Sequence, residues 1–235
     1  MDTNKYKAKL QNFKSLSQSN IPKTFNDADL IIDIQNTQNQ LFKALLHKNQ
    51  QYSIRWLFGF DRYIRSLNKS IARPFRSNLK RGHIVEVELF GHFNRELTFL
   101  HPAVVLYDNH QGQILVAPIS TGLHGNANKL HIDVGQTEGL KHDCAIALDE
   151  LLMIHKDRVH YQHKIKNKSV KLPDYVLDTI DELILEYFLP QKHVEVKKLD
   201  KDLADEKIKV SQLEKKIELL EKQLAEKVLE KIILE

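Results

Sequence analysis

Residues 80–107 read KRGHIVEVELFGHFNRELTFLHPAVVLY, and their spacing sets the class of fold. The period is two. In 83–89, Val85, Val87 and Leu89 fall on one face of an extended chain and Glu86 and Glu88 on the other. After a loop, 102–107 (PAVVLY) is a short apolar run of the kind that strands buried on both faces show. Further runs follow at 114–119, 130–134, 144–148 and 151–155. Asp108-Asn109, Gly122, Gly125-Asn126, Gly135 and Gly139 supply turn signals between them. Short strands at roughly 8–12-residue spacing predict a small antiparallel barrel or a strongly bent sheet. One helix follows. Pro173 and Asp174 mark its start, Val176, Leu177, Ile180, Leu183, Ile184, Tyr187 and Phe188 form its apolar stripe, and Pro190 marks its end.

Outward from this core the chain changes character. Residues 1–79 carry a net charge of +8, 80–191 carry −4 and 192–235 carry zero, so the overall +4 is a cancellation. The densest basic stretch holds Arg55, Arg62, Arg65, Lys69, Arg73, Arg76, Lys80 and Arg81 against Asp61 alone, a local charge of +7. Such a stretch either attracts a polyanion, nucleic acid being the common one, or docks as a solvated helix face on the acidic middle segment. Asn26 and Asp27 can cap a helix running toward Lys48, and a second helix is expected from near Ser53 to Arg73-Pro74, weakened by Gly59. Together they predict an antiparallel hairpin. Trp56, Phe58, Phe60 and Tyr63 interleave with the arginines; they stack on unpaired bases or form the helix's core stripe.

Several classes are excluded. No run of ~18 apolar residues exists, so no transmembrane helix is expected. The first ten residues are polar and charged and lack an apolar signal core, which predicts a cytoplasmic protein. The single Cys144 permits neither an internal disulfide nor a cysteine zinc cluster. No P-loop, dinucleotide fingerprint or nucleophile elbow is present. No cofactor and no metal are expected, because His160 and His163, in a strand-loop region, do not share a face at spacing three.

The last segment reads as a coiled coil. With position a at Val196, the a/d series is Val196, Leu199, Leu203, Glu206, Val210, Leu213, Ile217, Leu220, Leu224 and Lys227, eight of which are apolar. In a parallel dimer the g-to-e pairs are Asp202 with Lys207, Lys209 with Glu214 and Lys216 with Glu221, all opposite in sign. Glu195 with Asp200 is repulsive, so the match begins after the first heptad. A parallel homodimer is favoured over packing on the chain's own N-terminal helices.

The stretch 80–188 resembles the MazF/PemK toxins, endoribonuclease partners of type II toxin-antitoxin systems. Lys80-Arg81-Gly82 resembles the opening of that family, Glu96 its acidic loop residue, and His101-Pro102 the Arg-Pro that leads into the next strand. Val116-Ala117-Pro118-Ile119-Ser120-Thr121 resembles the strand ending in Thr or Ser, and Asp143–Asp149 the later block with its terminal acid. The resemblance implies an α+β fold: an SH3-like antiparallel β-barrel with a C-terminal helix, flanked here by a basic helical domain at 1–79 and a coiled coil at 192–235, with the barrel domain over 80–191. It also implies dimerisation through the barrel, metal-independent cleavage of single-stranded RNA, and an antitoxin protein that blocks the RNA groove. The chain departs from the family where its catalytic Arg becomes His101, its Asp becomes His83, and its last strand reads Glu150-Leu151-Leu152; Arg95 stands where some members carry His.

RNA cleavage without a metal needs a base for the ribose 2′-OH, an acid for the leaving 5′-oxygen and a cation for the phosphate. His101 can be acid or base. Arg95, beside Glu96, can hold the phosphate, Ser120 or Thr121 can donate a hydrogen bond to it, and Asp149 can orient or deprotonate. The eight basic residues of 55–81 are the candidate nucleic-acid contacts. Against this stands a catalytically inactive dimer of the toxin fold that binds nucleic acid or protein, with His101 merely packing on Pro102. A third possibility is that residues 1–79 cover the barrel as an antitoxin would.

Overall fold

The computed structural model describes residues 3–71, 75–91 and 96–233, with side chains to residue 224 in the last helix. The chain divides into two compact units, Met1–Arg73 with Glu88–Leu100 and Pro74–Val87 with His101–Glu235. No described helix is long and apolar enough to cross a membrane.

The first unit is helical: α1 (Thr3–Phe13), α2 (Ala28–Leu46) and α3 (Gln50–Leu67). Each long helix starts at a side-chain cap. Asp27 Oδ1 accepts the Leu30 amide at 3.1 Å, and Asn49 Oδ1 accepts the Tyr52 amide at 2.8 Å, each satisfying a donor that the first turn leaves open. α1 is tied to α2 by polar contacts: Lys5 to Asp29 at 2.6 Å, Tyr6 to Asp33 at 2.8 Å, and Lys9 to Asp27. Helix α3 begins three residues before the predicted Ser53 and ends well short of Arg73-Pro74. Its end is set locally: the Asn68 amide donates to Ile64, the Ser70 amide to Arg65, and Lys69 adopts φ 52°.

The aromatic stripe of α3 is largely a packing surface. Trp56 stacks on Phe60 at 4.8 Å, and both, with Tyr63, gather around Phe90 of the loop 88–100 at centroid distances of 5.5, 6.1 and 6.4 Å. Tyr52 meets Phe99 edge-on at 5.1 Å. Phe58 is the most exposed of the predicted stacking residues, at 67%. Gly59, which weakens the helix on propensity, is buried because a Cβ there would lie 2.6 Å from the Phe90 ring.

The second unit carries the sheet: β1 (Ile84–Glu88), β2 (Leu100–Asp108), β3 (Gln113–Ser120), β4 (His131–Val134), β5 (Cys144–Ala147), β6 (Leu152–His155), β7 (Val159–Gln162), and a short ribbon of β8 (Lys164–Ile165) and β9 (Lys168–Ser169). Helix α4 (Asp174–Phe188) follows, then α5 (Pro190–Ile233). The strands lie in the order β4-β5-β3-β2-β1-β7, with β6 also on β3, and the β1–β7, β2–β3, β3–β5, β3–β6 and β4–β5 pairs are antiparallel. Strand β3 changes partner along one edge: Gln113–Val116 pair with β6 and Ile119–Ser120 with β5. Register shifts at Glu86/Val87 and Val105/Tyr107 add bend. The expected barrel is therefore a strongly bent sheet whose outer strands β4 and β7 do not pair with each other among the described residues.

The core lies between this sheet and α4. Ile84, Val104, Ile119, Ile146 and Leu148 from the sheet meet Leu172, Val176, Leu177 and Ile180. Strand β1 is buried throughout, so the face carrying Glu86 and Glu88 is covered as well. Gly82 adopts φ +84°, and a Cβ there would press on Leu177 and Lys171 at 3.0 and 3.1 Å, which fixes glycine where the chain passes under α4.

Candidate active site

Strands β2, β3 and β5 end at one cleft of about 520 Å³. His101 and Pro102 at the start of β2 line it, opposite Ser120 and Thr121 at the end of β3. Lys141, His142 and Cys144 come from the turn into β5, and Tyr161, Gln162, His163 and Lys164 from the end of β7. Among the described residues that line the cleft there are three histidines and two lysines and no carboxylate. A site so composed suits an anion.

The polar groups are poised by their strands. Ser120 Oγ accepts the Gly122 amide at 3.3 Å, which occupies a lone pair and leaves its proton to donate into the cleft. Burial, with Asp143, Asp133 and Glu138 nearby, pushes the Cys144 thiol up to about 11, so it stays protonated and is no nucleophile. Burial first and the Glu86 carboxylate second push the Tyr161 phenol above its ordinary value, keeping it a neutral donor. His163 Nε2 lies 2.8 Å from Glu86 Oε2.

The sequence-predicted residues separate. His101, Ser120 and Thr121 share the cleft. Asp149 is not in its lining: it sits just past β5, where Oδ2 accepts from Asn128 at 2.8 Å and Oδ1 lies 3.2 Å from His131 Nε2. Glu96 belongs to the other unit. Arg95 and Arg73 lie outside the described residues. The basic stretch is divided: Arg55, Arg62, Arg65 and Lys69 stand on and just after α3, while Arg76, Lys80 and Arg81 belong to the sheet unit. Arg65 pairs with Asp61 at 2.7 Å, Arg76 with Asp157 at 3.3 Å, and Arg81 with Asp181 at 2.7 Å. Arg81 also donates to the Leu177 carbonyl, so the Lys80-Arg81-Gly82 opening serves to anchor α4. His83 likewise has a structural post, its Nδ1 accepting the Lys80 amide at 3.0 Å.

Sequence reading passed over His142, weighed His163 only as a metal partner of His160, and assigned Glu86 to the polar face of β1. β7 carries no apolar run long enough to announce a strand. The one signal was the pair Glu86 and Glu88, carboxylates within a strand whose other residues are valine and isoleucine.

A family model described as the PemK-like, MazF-like toxin of type II toxin-antitoxin systems matches residues 80–188. Residues 80–188 form a PemK/MazF-like toxin domain. The match runs from Lys80 to Phe188, the last residue of α4, and leaves α1–α3 and α5 as additions to the toxin domain. Among solved structures the chain is similar to MazF (Form-I) from Deinococcus radiodurans, at 14% identity and a TM-score of 0.40, over 48% of this chain and 97% of that one. It is also similar to Mycobacterium tuberculosis toxin MazF-mt6, at 20% identity and a TM-score of 0.34, over 45% and 95%. No curated protein matches by sequence. The toxin domain's loop 88–100 is the part that packs with α3, through Phe90 and Phe99.

Proposed function

We propose that the toxin domain is an endoribonuclease that cuts single-stranded RNA by attack of a ribose 2′-OH on the adjacent phosphate, with no metal or cofactor needed for the proton transfers. The observation that carries this reading is the cleft lined by His101, His142, His163, Lys141 and Lys164 with the hydroxyls of Ser120, Thr121 and Tyr161 and, among the described residues, no carboxylate. The lysines offset the phosphodiester charge, and Ser120 and Thr121 donate to its oxygens. His101 replaces an arginine of the family pattern, so a proton carrier takes the place of a fixed cation, and the neighbouring lysines supply the positive charge. In the reaction the O2′–P bond forms, the P–O5′ bond breaks, and the product ends are a 2′,3′-cyclic phosphate and a 5′-hydroxyl.

An antitoxin protein is the expected inhibitor of the cleft, and a second copy of this chain is the expected partner of α5. The alternative is a silent relative that binds RNA in the same cleft without cutting it. Incubating the purified chain with single-stranded RNA in EDTA separates the two. Cleavage leaving cyclic phosphate ends, lost in His101→Ala together with Ser120→Ala, supports the enzyme. Tight binding with intact RNA supports the silent alternative and overturns the enzyme.

A further inference from the structure

The cleft contains a second imidazole built differently from His101. His163 follows directly on β7, and its amide donates to the Ile84 carbonyl of β1 at 2.9 Å. Its ring Nε2 lies 2.8 Å from Glu86 Oε2. Glu86 is in the middle of β1, which lies between β2 and β7, and its side chain is 11% exposed. A carboxylate buried this deep is costly unless a charged or hydrogen-bonded partner meets it, and His163 is that partner. The carboxylate fixes one ring nitrogen and leaves Nδ1 as the atom free to exchange a proton in the cleft that the ring lines. A carboxylate behind an imidazole also stabilises the imidazolium formed when the ring takes a proton, the division of labour seen in hydrolytic triads. Asp149 does not provide this service, being bonded to Asn128 and His131 outside the cleft lining.

We propose that His163, oriented by Glu86, is the general base of this cleft, with His101 as the general acid; the assignment rests on the endoribonuclease reading above. The 2′-OH gives its proton to His163 Nδ1 as O2′ bonds to phosphorus, and His101 gives a proton to O5′ as the P–O5′ bond breaks. The two rings end with exchanged protonation and are reset by water, so no further reactant is required. Glu86 is a positioning residue, acting only through His163.

The test is steady-state cleavage of a single-stranded RNA in EDTA by the full chain and by His163→Ala, His163→Gln, Glu86→Gln and Glu86→Asp. The expected result is a fall in kcat of about 10²–10⁴-fold for either His163 variant with KM little changed, the range for loss of one acid–base group. Free imidazole added to His163→Ala should restore part of that loss, which a merely structural role would not allow. Glu86→Gln should lower kcat and leave KM, and Glu86→Asp should recover some of it. His163→Gln keeps most of the ring's reach, so it covers the case in which the alanine variant does not fold. Cleavage at the wild-type rate by either His163 variant, or a loss that imidazole does not restore, overturns the assignment and leaves the endoribonuclease standing. A wild-type chain that leaves RNA intact overturns both.

Discussion

His83 stands where the toxin family's pattern has an aspartate, and its surroundings explain what the imidazole does there. The ring is half-buried and its Nδ1 accepts the Lys80 amide, so the fold uses it neutral. Burial first, then Lys80 and Lys171, hold its pKa below the ordinary 6.5. The unfolded chain therefore takes up the proton first as pH falls. The stability this ring contributes is fully present above 6.5 and declines as pH drops toward the folded value. His83→Asn keeps an acceptor for the Lys80 amide and removes the titration, so the change in urea stability between pH 7 and 5 should flatten; an unchanged slope refutes the assignment. A stronger device sits at Asp108, whose side chain is 1% exposed and pairs with Lys156, 5% exposed, at 2.7 Å. Burial pushes this carboxyl up, but Lys156 and the amides of Leu79 and His110 outweigh it and lower its pKa. Lys156 also donates to the Ser77 carbonyl, so the pair clasps residues 77–79 to the sheet. Asp108→Ala strands a buried ammonium and should cost about 3–5 kcal/mol, whereas Asp108→Ala with Lys156→Met should recover most of it. Chemical denaturation of the three chains decides, and a double variant no better than the single one rejects the pairing as the cause. None of this was legible from residue order: Asp108 reads as a turn residue beside Asn109, and its partner lies 48 positions away.

Among the elements, sequence patterns place β1 to β6 within a residue or two of their observed positions, because each is a β-branched or apolar run bounded by turn residues. They miss β7, whose Val159–Gln162 has one buried residue and is held as a strand by pairing with β1. Helix α3 shows the converse error. Its apolar spacing continues to Ile71, yet the helix stops at Leu67, where the carbonyls of Ile64 and Arg65 are satisfied by a tight turn. Gly59 joins helix to loop. Substituting alanine gains about 1 kcal/mol of helix propensity, but the added Cβ meets Phe90 Cδ2 at 2.6 Å and Cβ at 2.8 Å. Overpacking of that kind costs about 1–3 kcal/mol, so the clash outweighs the gain. Gly59→Ala should lower the melting temperature and speed amide exchange in 88–91 and 96–100. A stabilised variant would show that Phe90 yields freely.

For the molecule taken entire, α5 is the feature that one chain alone does not satisfy. It runs for 44 residues, about 66 Å at the α-helical rise. Its apolar seam is exposed in the single chain, with Leu199 66% and Leu224 65% accessible. The opposite charges at successive g and e positions from Asp202 to Glu221 are what a parallel second copy would pair. Sedimentation should therefore report a dimer, weakened by Leu213→Asp with Ile217→Asp. A monomeric wild type rejects the seam as an interface, while a dimer that survives the substitutions shifts the interface to another surface. Residue order alone specifies the strand runs, the helix start at Asp27, the heptads of α5 and the toxin-domain blocks, because periodicity and capping depend on near neighbours. Which distant residues meet is a matter of packing. The folded chain brings His101, Ser120, Thr121 and His163 to one cleft, removes Asp149 from it, pairs Glu86 with His163, and turns the aromatic stripe of α3 toward Phe90. Those contacts depend on strand order and register in a bent sheet, which no local pattern encodes.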